Sequence, residues 1–352
     1  MKTNIFAYFL PQFYPTPEND EFWGEGFTDW VSTKNAKPLF KGHKQPYKPL
    51  DLGYYDLSNE IEAKKVIEFS QKAGIDGLAY WHYWFGNDFT TLEKVPEIHL
   101  NNKEIKQKFF FAWANANWSK SWQGDDKTLI FKQTYSEDSA IKHYKYLRNF
   151  FEDQRYIKYE NNFLFQVNKG ISDDVLNHMK ILDLMCFEEF GRRIHFIVPK
   201  DKLKINLDEL IHSLSSFPPG EIYSSIISYK FQKLLKKLNL LKRPIVIEHK
   251  KYLKSFSRFL KSNPDLIPCI LSGWDNTARY KCNGVVINGK IEDLLEGQLN
   301  VILKQNNANK FILIKAFNEW AEGNILEPYI LSGVNHYPHK KIINFKKSAL
   351  KL

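Results

Sequence analysis

Cysteine is scarce: Cys186, Cys269 and Cys282 are the only three in 352 residues, and no two form a CxxC pair. A sparse, odd count argues against a disulfide framework and against a structural zinc site, and it fits a reducing compartment. No apolar run approaches the roughly 18 residues that a membrane-spanning helix needs. The opening stretch, Met1 to Pro11, lacks a charged start, a long apolar segment and a small-residue cleavage site, so no secretory signal is read and a cytoplasmic location is expected. No repeat, low-complexity tract or Gly/Ser/Pro linker divides the chain. No glycine-rich loop follows the first apolar run, which weighs against a nucleotide-binding doubly wound sheet. His43, His82, His143 and His212 are scattered without ligand spacing, so neither a metal nor a cofactor is expected.

What is present is a soluble globular composition, 43% apolar and 26% charged, with two unusual features: a formal net charge of +10 and 15% aromatic residues. A basic chain suggests an anionic partner, though a chain rich in Lys, Asn and Ile also results from an AT-rich genome. The charge is concentrated. Lys230 to Lys261 holds eleven Lys/Arg against one acid, Glu248, and Phe231 to Leu241 is amphipathic. Lys340, Lys341, Lys346, Lys347 and Lys351 follow near the end. Peripheral contact with the anionic inner face of a membrane is one expectation, and a plain solvated face is the other.

Short apolar runs alternate with longer amphipathic stretches, the βα pattern of a parallel sheet. Candidate strands are Ile5–Leu10, Gly77–Tyr83, Phe109–Trp113, Phe163–Val167, Ile194–Pro199, His212–Phe217, Ile267–Leu271 and Phe311–Phe317. Ile61–Ala73, Ser136–Phe151 and Asp173–Phe190 read as helices. The expected fold is α/β, a single (β/α)8 TIM-type barrel over residues 1–335, with a basic tail at 336–352.

Polar and aromatic residues gather where these strands end, which is where such a barrel places its site. Gln12 follows the first strand, and Trp81, His82, Tyr83 and Trp84 end the second. Asn115, Asn117 and Trp118 follow the third; Trp274, Asp275, Asn276 and Arg279 follow the seventh. Asn318, Glu319, Trp320, Glu322 and Glu327 follow the eighth. Aromatic faces stack on the C–H faces of sugar rings, while amides and acids serve the hydroxyls. Some of these tryptophans, and His82, fit the packed core equally well. Nucleobases also stack on aromatic rings, but Arg279 is the only base among these strand-end groups, so a groove for nucleic acid is not expected.

Two neighbouring carboxyl groups are the equipment for breaking or making a glycosidic bond. Glu319 and Glu322 stand three residues apart. In an extended strand that spacing splits them between two faces, but in a turn they share one. Glu327 is a third acid nearby, suited to a hydroxyl. Asp125-Asp126 reads as a solvated turn.

Ala7 to Phe13, Trp23 to Trp30, Trp81 to Phe85, Gly273 to Arg279 and Asn318 to Gly323 resemble the WbsX-like glycosyltransferases, a glycoside hydrolase family 99-like group of bacterial O-antigen and capsule clusters. In family 99 proper, endo-acting α-mannosidases on a (β/α) barrel, the motif matched by Phe317 to Gly323 carries both catalytic acids. The resemblance implies Glu322 as general acid/base. It implies Glu319 as the base that helps a sugar's 2-hydroxyl attack its own anomeric carbon, a retaining route. One departure stands out: the family pattern has Glu between Asn115 and Asn117, where this chain has Ala116. The expectation is a retaining glycosyltransferase of surface-polysaccharide synthesis acting on an oligosaccharide or lipid-linked glycan. The alternatives are an endo-glycosidase using the same acids and a glycan-binding barrel without catalysis.

Overall fold

The computed structural model describes residues 3–86, 89–119, 128–202, 209–305 and 311–349; the Asp125-Asp126 turn lies outside the described residues. Eight strands form the barrel: β1 (Asn4–Phe9), β2 (Gly77–Gly86), β3 (Phe109–Trp113), β4 (Asn162–Val167), β5 (Ile194–Pro199), β6 (Ile211–Ser215), β7 (Cys269–Leu271) and β8 (Phe311–Lys315). Around the sheet the order is β6-β5-β4-β3-β2-β1-β8-β7, with every contact parallel. The ring closes where Ser215 bridges Ile267, just ahead of β7. Ser216 N–H donates to the Ile267 carbonyl at 3.0 Å, and Ile267 N–H donates to the Leu214 carbonyl at 2.9 Å. Each apolar run read from the sequence is thus a barrel strand, with its ends shifted by a few residues, and the fold is the expected (β/α)8 barrel.

The outer layer is α1 (Glu60–Lys72), α2 (Lys94–Asn101), α3 (Glu137–Phe151), α4 (Asp173–Phe190), α5 (Ile227–Lys237), α6 (His249–Lys261), α7 (Ile291–Gln305) and α8 (His339–Ala349). Asn59, Ser136 and Ser172 cap α1, α3 and α4 by accepting first-turn N–H groups, and acids follow each cap, as the helix dipole favours. Two features were not read from the sequence. Among the described residues the β5–β6 connection holds only a short 3₁₀ turn at Lys200–Lys202. An extra parallel pair, Ile245–Glu248 with Val285–Asn288, sits off the barrel sheet. The basic stretch near the end forms α8, which buries His339, Ile342 and Phe345, and its Lys346 reaches Asp76 at 2.7 Å.

Alternation along the strands divides the core in two. Inside the barrel, Phe6 meets Phe110 and Phe311, and Tyr8 stacks on Trp81 at 4.9 Å while donating to Gln166 Oε1 at 2.7 Å. Outside, Tyr80, Phe109 and Phe111 pack towards α2 and α3 through His99 and Phe150.

Gly273, just past β7, supports the segment that follows β8. A Cβ at this position would collide with the Gly323 carbonyl oxygen and lie 2.8 Å from Ile291 Cγ1. Backbone cannot yield as a flexible side-chain end can. Gly273→Ala is therefore expected to lower the urea-unfolding free energy by about 1–3 kcal/mol; an unchanged midpoint would contradict this packing.

Candidate active site

Beyond β8 the chain makes a tight hairpin. Asn318–Glu319 pairs antiparallel with Asn324–Ile325, and the 3₁₀ turn Trp320–Glu322 joins them through Gly323 at φ 61°. That left-handed conformation is open to glycine at no steric cost. The turn brings Glu319 and Glu322 to one side, and both line the same cleft. Three contacts hold it there. Asn318 exchanges hydrogen bonds with the Leu10 backbone at 2.7 and 2.9 Å, the buried Asp29 accepts from Ala321 N–H at 3.0 Å, and Asp275 N–H donates to the Glu322 carbonyl at 2.7 Å.

The two carboxyls have different surroundings. Arg279 donates to Glu322 Oε1 at 2.8 Å and to Asp29 Oδ1 at 2.8 Å. Lys315 Nζ lies 3.7 Å from Glu322 Oε2, over the rings of Phe217 and Trp274. Burial pushes Glu322 up, but Lys315 and Arg279 outweigh it and hold the group below its ordinary value. Glu319 accepts from Trp81 Nε1 at 2.8 Å and faces the same cleft as Glu322. Burial first, then the charge of Glu322, pushes it up to about 8. Burial and the charge of Glu322 thus favour the protonated form of Glu319, while Lys315 and Arg279 favour the ionised form of Glu322, so environment separates two like groups.

The cleft is about 480 Å³ in volume and opens at the carboxyl ends of the strands. Trp118 stands between Trp23 and Tyr83, with ring centroids at 6.2 and 5.2 Å, and forms an aromatic wall. Gln12 is fully buried; its Nε2 donates to Asn19, while its Oε1 has no partner among the described residues and is placed to accept from a ligand. A cavity of about 660 Å³ around Asp76, Lys108 and Lys346 lies at the opposite end, where such barrels do not carry chemistry.

Of the residues singled out in the sequence, Gln12, Trp81, Tyr83, Asn117, Trp118, Arg279, Glu319 and Glu322 meet in this cleft. The others do not. His82 and Trp84 alternate with Trp81 and Tyr83 and face the helices, against His143 and Ser139. Asn115 ties the β3 and β4 loops by accepting from Lys169 N–H. Asp275 holds His43 and Gln45, Asn276 accepts from Val285 N–H, and Trp274 packs beneath Lys315. Asn318 is engaged by Leu10, and Trp320 donates to the fully buried Glu327, which also accepts from Tyr55. Sequence reasoning missed Asp29, Lys315, Phe217, Tyr280 and Trp23. Trp23 and Asp29 were visible in the aromatic motif after β1; Lys315 and Phe217 carried no signal, being single residues in apolar runs.

A (β/α)8 barrel with a polarised carboxylate pair and an aromatic cleft at its strand ends is the build of a carbohydrate-active enzyme. The chain belongs to the WbsX glycosyltransferase family, whose profile matches residues 5–337. It is 25% identical over 340 residues to the uncharacterised protein WxcX of Xanthomonas campestris pv. campestris, a match that takes in 93% of this chain and 48% of that protein. The chain therefore spans about half the length of the curated relatives it matches. Its fold is similar to that of a glycoside hydrolase-like protein, with a TM-score of 0.61, 12% identity and coverage of 98% of this chain and 93% of that one. It is also similar to the GH99 endo-α-mannosidase of Bacteroides thetaiotaomicron, with a TM-score of 0.53, 14% identity and coverage of 99% and 96%. At such identities the likeness is one of fold.

Behind the cleft, His82 Nε2 meets His143 Nε2 at 2.8 Å, and His143 Nδ1 meets His178 Nε2 at 3.0 Å. Burial lowers His82 to about 3, His178 to about 4, His143 well below its ordinary value, and His99 to about 3. Unfolded, each binds a proton near pH 6.5, so their contribution to stability is full above that value and is lost as pH falls towards the folded values. His339 is lowered by burial in the same way, whereas Glu97, raised by burial, and Glu319 and Glu327, both pushed up to about 8, act in the opposite sense, three groups against five. The net expectation is a loss of about 2–3 kcal/mol of unfolding free energy per pH unit near pH 5.5. Urea unfolding at pH 6 and pH 5 measures it; equal or greater stability at the lower pH would refute the sign.

Proposed function

We propose that this chain breaks a glycosidic bond with retention and passes the glycosyl unit to an acceptor during synthesis of a bacterial surface polysaccharide such as O-antigen or capsule. The observation that carries the reading is the carboxylate pair in one cleft, with Arg279 and Lys315 beside Glu322 and the Trp81 indole N–H on Glu319, an asymmetry that suits a proton donor working beside a proton acceptor. Membership of the WbsX family supports transfer as the reaction.

In the first step the 2-hydroxyl oxygen attacks the anomeric carbon, Glu319 takes the hydroxyl proton and Glu322 protonates the departing oxygen. In the second step an acceptor hydroxyl opens the anhydro sugar, returning a proton to the 2-oxygen and reloading Glu322. At rest the proton lies on Glu319 rather than Glu322. The proton passes between the two neighbouring carboxyls when a sugar 2-hydroxyl donates to Glu319 instead. Ala116 lines the cleft where the family pattern has a carboxylate, so hydroxyl recognition on that wall falls to Asn117 and Gln12.

Incubation with free and lipid-linked oligosaccharides, read by mass, identifies donor and acceptor; release of free sugar alone would make water the acceptor and the chain a hydrolase. Glu319→Gln and Glu322→Gln are each expected to lower turnover about 10²–10⁴-fold. A better leaving group restores the first step of Glu322→Gln and leaves Glu319→Gln inactive. In the parent, the rate is present below about pH 8 and falls above it, as the pair loses its proton. Normal turnover by Glu319→Gln would remove this mechanism.

A further inference from the structure

Helix α5 is mounted with its apolar side outward. None of its residues is buried. Ile227, Phe231, Leu234 and Leu238, spaced four, three and four apart, form one ridge that is 83, 60, 52 and 56% exposed, and Leu240 beyond it is 70% exposed. The opposite side, with Tyr229, Gln232, Leu235 and Lys236 half-buried, faces the protein. Gln232 exchanges hydrogen bonds with the Val246 backbone at 2.8 and 3.1 Å, and Lys236 Nζ donates to the Cys282 carbonyl at 2.6 Å. Nearby α6 has the same lysine-rich, aromatic composition and sits the usual way round, with Tyr252, Phe256 and Leu260 buried and Lys250, Lys254 and Arg258 in solvent. Composition therefore does not explain the outward ridge on α5.

We propose that α5 docks this protein on a bilayer bearing anionic lipids. Lys230, Lys233 and Lys237 are exposed beside the ridge, Lys242 and Arg243 follow it, and no acidic residue occurs between Glu221 and Glu248. A helix lying in a membrane interface needs both parts: apolar side chains to enter the acyl boundary and flanking cations to meet the headgroups. A second copy of the chain fits less well. Face-to-face pairing of this ridge would set lysine against lysine, and a convex single-helix ridge offers no groove to receive its twin.

The helix also contacts the segment that borders the cleft. Cys282, which accepts from Lys236, lies two residues past Thr277–Tyr280, whose Arg279 and Tyr280 line the site. Tyr229 of α5 packs on Tyr223 at 4.4 Å. Docking through α5 thus sets the rim of the cleft at the membrane surface, within reach of a glycan carried on a lipid. Only this last step rests on the function proposed above; membrane binding itself is read without turnover.

The test is sedimentation with vesicles of phosphatidylcholine, alone or mixed with phosphatidylglycerol, for the parent, Phe231→Ser with Leu234→Ser, and Lys230→Glu with Lys233→Glu and Lys237→Glu. All five positions are exposed, and unfolding midpoints confirm that the variants fold. The parent is expected to pellet with the mixed vesicles and not with phosphatidylcholine alone, less so as salt rises, and each variant to lose at least about tenfold in vesicle affinity. A parent that stays in the supernatant with both vesicles overturns the proposal, as do variants that pellet like the parent. Concentration-dependent self-association that Phe231→Ser with Leu234→Ser abolishes, without vesicle binding, would instead make the ridge an interface between copies.

Discussion

The site depends on the bridge that Arg279 makes between Asp29 and Glu322. Its guanidinium side chain is only 8% exposed, and Asp29 is fully buried. The three residues come from the loop after β1, the turn after β7 and the hairpin after β8. A planar fork that reaches two carboxylates fixes direction as well as distance. Because the charges are desolvated, removing one partner would leave the others uncompensated, at a cost of about 3–5 kcal/mol. Asp29 strengthens the arrangement by also accepting from Ala321 N–H, so the aromatic segment after β1 holds both the cation and the backbone of the hairpin that carries Glu319 and Glu322.

That bridge also sets the proton distribution. Two carboxyls buried at this depth would both be neutral if burial acted alone. Arg279 and Lys315 lie on the Glu322 side, so Glu322 keeps its charge, and that charge then raises Glu319 further. A single pair of cations beside one carboxyl therefore shifts two groups of one residue type in opposite directions. Glu327, without a nearby cation, is pushed up by burial with only the hydrogen bonds of Trp320 and Tyr55 working against it, which suits a packed support rather than a proton carrier.

The barrel was legible because a strand enclosed on both faces must be apolar throughout, and such runs stand out in a sequence. The site was legible only to the level of strand ends. Trp81, His82, Tyr83 and Trp84 are consecutive, yet the pleat sends the first and third into the cleft and the second and fourth towards α3. Residue type does not reveal that choice; the two-residue period does, once one inward residue is known. The amides and acids show a second limit. Asn115, Asn318 and Asp275 have the chemistry to bind sugar hydroxyls, but irregular backbone at the strand ends needs the same groups, and it takes them.

Helix α5 shows a third limit, of a different kind. An amphipathic pattern states that a helix has two faces and leaves open which one meets the protein. For α6 the lowest-energy choice is the common one, because the barrel offers Tyr252, Phe256 and Leu260 an apolar bed. For α5 the surface beneath includes, beside Tyr223, the backbone of Val246 and Cys282, which demands donors and acceptors. Gln232 and Lys236 satisfy it, and the apolar ridge is turned outward as a consequence. The extra strand Ile245–Glu248, which the sequence reading did not recognise, supplies much of that polar edge. The orientation of α5 therefore follows from backbone hydrogen bonding in a neighbouring element, a constraint that no helical periodicity within Ile227–Lys237 encodes.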